Sequence, residues 1–195
     1  MKHQQPPITI NKLDAARRQL RAAIRLWFNN GDPVAVHTLA SAAHEIIHTL
    51  FRRAGCRGMM FDTPYIKDEF RSEWAKLLKR HASFFKHARE DPDGVTVFNP
   101  ATNFGLITAS AYGLRKLGEP LAVEDACFTF WLRVHRPNWF PNQVTENGIP
   151  VNLFQRYGDI EIDDFFEMFE SLWRQGKAPG QQGRRDVWGP TGPPN

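Results

Sequence analysis

Two runs of side chains in this chain have the types and spacing to do chemistry. The first is His44-Glu45-Ile46-Ile47-His48. Histidines four apart share one helix face, so a metal ion can take a nitrogen from each while the intervening glutamate serves as general base, as in many zinc proteases. The continuation, Thr49-Leu50-Phe51-Arg52-Arg53, lacks the glycine and third histidine of one protease class, and Glu69 is the only third ligand at the spacing of another. His44, Glu45 and His48 are therefore an incomplete metal set. The plainer expectation is a strip of solvated histidines, with His37 and Ser41, beside the apolar stripe of a helix.

The second run is Arg80-His81-Ala82-Ser83-Phe84-Phe85-Lys86-His87. On a continuous helix Arg80 and His87 lie two turns apart on one face, roughly 10 Å between α-carbons. Together they suit a phosphodiester. An imidazole that changes charge near neutrality takes the ribose 2′ proton or protonates the leaving oxygen, and a guanidinium stabilises the phosphorane with paired hydrogen bonds. That chemistry needs no metal or other cofactor. Lys76, Lys79, Lys86 and Arg89 surround this face, and Arg18, Arg21 and Arg25 form a stripe on an earlier helix, so Arg18, Arg21, Arg25, Lys79 and Lys86 are the candidate RNA-backbone contacts. Read plainly, the same residues are a solvated cationic face.

The elements that must position these groups read as helices. Asn11 caps a first helix, with Leu13, Ala16, Leu20, Ala23, Ile24 and Trp27 spaced at three and four until Gly31. Asp32-Pro33 opens a second, whose stripe runs from Val36 to Phe51. Thr63-Pro64 is the start signal for a third, with an apolar face of Phe70, Trp74, Leu77, Leu78, His81, Phe84 and Phe85. Val95 to Phe98 reads as loop. Asn99-Pro100 and Pro120 open a fourth and a fifth helix, and Ile160 to Arg174 a last amphipathic one. Between them, residues 136–158 read as a long loop carrying Trp139, Phe140 and Phe154, and the Gly- and Pro-rich stretch 176–195 reads as a disordered tail with Trp188 as a docking residue. The expectation is an all-α, single-domain bundle of five to six helices over residues 8–175.

Composition sets outer bounds. A chain of 195 residues with 42% hydrophobic content supports one core. No apolar run approaches the roughly 20 residues that span a bilayer, and Met1 to Pro7 has no export signal, which leads to an expected cytoplasmic location with no membrane partner. Cys56 and Cys127 are too few for a disulfide framework or thiolate site. The net charge of +4 is unevenly spread: 18 Lys and Arg against 11 acids up to Pro120, then three Arg against nine acids from Leu121 to Glu170. The acidic part can contact the basic N-terminal helices, in the same chain or in a second copy.

Arg80 and His87 on a helix end of an all-helical chain resemble the Arg-x(4-6)-His signature of HEPN proteins (higher eukaryotes and prokaryotes nucleotide-binding). The resemblance spans roughly Asn11 to His135. It implies a helical bundle, metal-independent endoribonuclease activity of the kind found in toxin and defence systems, and a site to which two protomers contribute. HEPN nucleases usually carry a polar residue such as Asn after the Arg, where this chain has His81. The phrases Lys12-Leu13-Asp14-Ala15-Ala16-Arg17-Arg18-Gln19-Leu20, Asp32-Pro33-Val34-Ala35-Val36-His37-Thr38-Leu39-Ala40 and Phe84-Phe85-Lys86-His87-Ala88 are also similar to a group of bacterial proteins without an assigned function. Those phrases single out His37 beside His87. Three classes of function therefore stand open: an RNase using Arg80 and His87, a non-catalytic RNA- or protein-binding bundle, and a metalloprotein using His44, Glu45 and His48.

Overall fold

Two local signals start the two longest helices. Asn11 accepts the Asp14 amide at 2.9 Å, and Asp32 accepts the Ala35 amide at 2.9 Å with Pro33 in the first turn. They open α1 (Lys12–Phe28) and α2 (Pro33–Arg53), which pack against each other across a turn that Asn30 makes at φ 48°. In this computed structural model residues 6–89, 91–140, 145–146 and 149–179 are described.

The remaining helices are α3 (Arg71–Phe84), α4 (Thr102–Lys116), α5 (Val123–His135), α6 (Leu153–Tyr157) and α7 (Ile162–Arg174). The protein is an all-α bundle. Leu20 of α1, Ile47 of α2, Ile107 of α4, Phe128 of α5 and Phe165 of α7 belong to one buried apolar cluster. Much of that cluster is aromatic: Trp27 meets Trp131 edge-on at 5.0 Å, and Phe28 stacks on Phe165 at 6.2 Å. Helix α4 lies close on α2 because Gly113 has no side chain there. A Cβ at that position would stand 2.6 Å from Ile47 Cγ2.

Helix α3 is different, and here the expected boundaries change. The chain from Thr63-Pro64 does not enter the helix directly; 3₁₀ turns at Met60–Asp62 and Asp68–Phe70 intervene, and α3 begins at Arg71. It ends at Phe84, so His87 lies beyond the helix and not two regular turns from Arg80. Of its fourteen residues only Ala82 is buried, while Leu77 is 58% exposed, so the expected apolar face does not enter the core. The indole of Trp74, donating to the Met60 carbonyl, and rings at its C-terminal end hold it in place.

The described residues between 136 and 158 are more structured than the loop expected from three prolines. They contain a 3₁₀ turn at Pro137–Trp139, a two-residue antiparallel pairing of Thr145–Glu146 with Ile149–Pro150, and α6, which Asn152 caps. This short helix carries the total to seven among the described residues. At the other end, Ala178 is 2% exposed against the core, so packed chain continues past the expected boundary at residue 175. The rest of the expected tail, with Trp188, lies outside the described residues. No helix of the described residues is long and apolar enough to cross a membrane.

Candidate functional site

The histidine strip of α2 is buried and not solvated. His37 is 2% exposed and His44 fully enclosed, because α4, the turn at Phe61 and α3 cover the polar edge of α2. His37 Nδ1 lies 2.9 Å from Asn103 Oδ1, and Asn103 Nδ2 donates to the Pro33 carbonyl at 2.9 Å. The amide oxygen is therefore an acceptor, which assigns the proton of neutral His37 to Nδ1. Its Nε2 is buried without a partner, facing the rings of His81, Phe85 and Phe98. Burial lowers the His37 pKa, and the Asn103 hydrogen bond only partly offsets it. This histidine ties the start of α2 to the start of α4.

His44 and His48 share a face, as their spacing requires, with ring centroids 6.2 Å apart. Phe61 packs edge-on against both, at 4.8 and 5.1 Å. Burial drives the His44 pKa down to about 4, and neither ring nitrogen has a hydrogen-bond partner among the described residues. Glu45 faces outward, as expected, where the Lys79 ammonium is its ion-pair partner. Glu69 is exposed in the 3₁₀ turn before α3. Among the described residues no three His, Cys, Asp or Glu side chains stand where they could hold a metal ion. What His48 meets instead is Asp62: Nε2 is 3.3 Å from Oδ1, an ion-pair separation without hydrogen-bond alignment. Burial lowers the His48 pKa and Asp62 works against that shift.

Arg80 and His87 come together by a different route from the one their spacing suggested. After Phe84 the backbone continues for one irregular turn, with the His87 amide donating to the Ser83 carbonyl at 3.0 Å. Both side chains consequently line one open groove of about 1150 Å³, with Lys76, Lys79, Leu77 and Val95. His81 points to the other side, 3.1 Å from the Val97 carbonyl through Nε2. Lys86 is exposed but does not line the groove.

The arginines of α1 occupy a separate surface. Arg25 pairs with Glu124 of α5 at 2.7 Å and with Glu170 of α7 at 3.2 Å, and Arg17 pairs with Glu119 at 2.9 Å. Arg21 is half-buried and Arg18 exposed. The acidic second part of the chain thus contacts the basic first helix within one molecule. Helix α1 packs on α2, α5 and α7 and α3 on α2, so Arg18, Arg21 and Arg25 do not join Lys79 and Lys86 in one element contact.

Sequence reasoning passed over Asp62 and Asn103. A cap or a periodic stripe is contained in a few neighbouring residues, whereas Asn103 meets a histidine 66 positions away. Polar partners at such separation carry no local signal. Compared with known proteins, the chain matches no family model, no curated protein and no solved structure.

Proposed function

We propose that this protein is an RNA-directed, metal-independent endoribonuclease of HEPN-like type, acting in the groove along α3. The supporting observation is that Arg80 and His87 line one open groove together with Lys76 and Lys79. In this reading Lys76 and Lys79 hold the RNA backbone. His87 removes the proton of a ribose 2′-hydroxyl, the 2′-oxygen forms a bond to phosphorus, and the bond to the 5′-oxygen breaks. The products are a 2′,3′-cyclic phosphate and a 5′-hydroxyl, the leaving oxygen taking up a proton. Arg80 stabilises the charge that develops on the phosphoryl oxygens. A second protomer sharing the site, as the HEPN resemblance implies, supplies a second histidine for that protonation.

Purified wild type and His87→Ala, incubated with end-labelled single-stranded RNA in excess EDTA, test the proposal. Cleavage by wild type alone, with a cyclic phosphate end, is the expected result; dependence on added metal, or equal cleavage by both proteins, overturns it.

One observation favours RNA binding without catalysis. Among the described residues the exposed His87 side chain has no hydrogen-bond partner to orient it, whereas a general base is normally held by a second group. Salt-sensitive RNA binding by wild type without any cleavage supports that second reading.

A further inference from the structure

The opposite flank of α3 carries a second built pocket. It has a volume of about 560 Å³ and lies between α2, the turn at Phe61-Asp62 and α3, sharing Ser72, Ala75 and Lys79 with the groove already described. Its charges do not all cancel. Arg71 is paired with Asp68 and Lys79 with Glu45. His48 faces Asp62, and both are largely buried at the pocket wall, with side-chain exposures of 12% and 14%. Arg52 and Arg57 also line the pocket, and no hydrogen bond or ion pair engages either guanidinium among the described residues. Behind that wall Asp62 Oδ2 and His48 Nε2 are buried, without hydrogen-bond partners among the described residues.

The donors available identify the chemistry. Two uncommitted guanidiniums present forked N–H groups suited to a tetrahedral oxyanion. His48, 3.3 Å from Asp62, lines the same wall, where its ring reports a charge that enters the pocket. Phe61, over which the Lys79 ammonium lies at 5.3 Å, gives the pocket one aromatic wall. We propose that this pocket is a phosphate-binding site in which Arg52 and Arg57 grip the phosphoryl oxygens within range of the His48 ring.

The site goes beyond the nuclease reading, since it uses neither Arg80 nor His87 and requires no cleavage. The phosphate can belong to a mononucleotide or to an RNA backbone that continues along α3.

The test is an NMR titration of the full-length protein, following the His48 and His87 ring protons against inorganic phosphate, a nucleoside monophosphate and a short RNA, with sodium chloride at matched ionic strength as the control. The expected result is a saturable His48 shift with at least one phosphate-bearing probe and none with chloride. The double variant Arg52→Gln/Arg57→Gln, altered only at exposed positions, weakens that binding about tenfold or more, the effect of losing one charge-assisted hydrogen bond. A shift with the mononucleotide assigns a terminal phosphate, and a shift with RNA alone assigns the backbone. An unmoved His48 with all three probes, an equal shift with chloride, or unchanged affinity in the double variant overturns the site. Because the readout is binding at His48, its failure is independent of the EDTA cleavage assay.

Discussion

Lys79 of α3 forms an ion pair with Glu45 of α2, and the contact joins the two motifs that first drew notice in this chain. It occupies the carboxylate that a zinc protease would need as base. It also ties down one of the cations along the α3 groove.

Glu45→Gln is accordingly expected to keep any RNA-directed activity and to strengthen RNA binding, since Lys79 is released. Its log-log salt slope should steepen by about one phosphate contact. Both side chains of the pair are nearly half exposed, so the unfolding free energy should change by about 1 kcal/mol at most. Filter binding across a salt series and urea unfolding check the two parts. Abolished activity in this variant would return weight to a Glu45 base.

Arg25→Ala should have the opposite signature. Arg25 already faces Glu124 and Glu170, so its removal should leave RNA affinity and the salt slope unchanged. It strips a half-exposed cation from a largely buried Glu124, and a loss of about 1 kcal/mol of stability is expected. A slope that falls by one unit would place α1 on the RNA surface.

Two buried groups pull the pH dependence of stability in opposite directions. His44 is driven down to about 4 by burial, so the unfolded chain binds the extra proton below its ordinary pKa of 6.5 and stability falls as pH drops from 6.5 towards 4. Asp125, driven up to about 6 by burial, holds a proton in the folded state, so stability falls as pH rises from 3.8 towards 6. Between pH 4 and 6 the two slopes oppose each other. Relative to wild type, His44→Phe should shift the slope of stability against pH by about 1.4 kcal/mol per unit in the negative direction, and Asp125→Asn by a similar amount in the positive direction. Denaturant unfolding at pH 4.5, 5 and 5.5 is the measurement. Parallel curves for wild type and both variants would show that neither group titrates as described.

Gly113→Ala probes the α2–α4 contact. The new methyl would collide with Ile47 Cγ2 at 2.6 Å and approach Met59 Cε at 3.0 Å. Displacement of α4 should lower stability by about 1–3 kcal/mol, read as a reduced urea midpoint with an unchanged m-value.

Legibility in the sequence followed the range of each interaction. Asn11 and Asp32 meet amides three residues away, and both helix starts were readable from that spacing. The start of α3 was not: Thr63-Pro64 carries a cap signal, yet two 3₁₀ turns follow, with Asp62 accepting the Met59 amide at 2.9 Å. His37 and His44 read as boundary residues because α2 by itself leaves them beside its apolar stripe. Their burial comes from Asn103, Phe98 and Phe61, which belong to other parts of the fold. The spacing of Arg80 and His87 suits a helix that in fact stops at Phe84, and the two still line one groove.

Helix α3 contributes one buried residue and lies outside the main apolar cluster, so the molecule should unfold in two tiers of cooperativity. Opening of α3 exposes little apolar surface and should occur as a sub-global event, well below the free energy of unfolding the bundle. Amide protons of residues 71–84 should then exchange with solvent deuterium much faster than those of α1, α2 and α5. The tryptophans divide along the same line. Trp74, which donates to the Met60 carbonyl, reports the detachment of α3, while the Trp27–Trp131 pair reports the bundle. Both the groove and the pocket have α3 as a wall, so the helix that loosens first also sets how wide either site stands open.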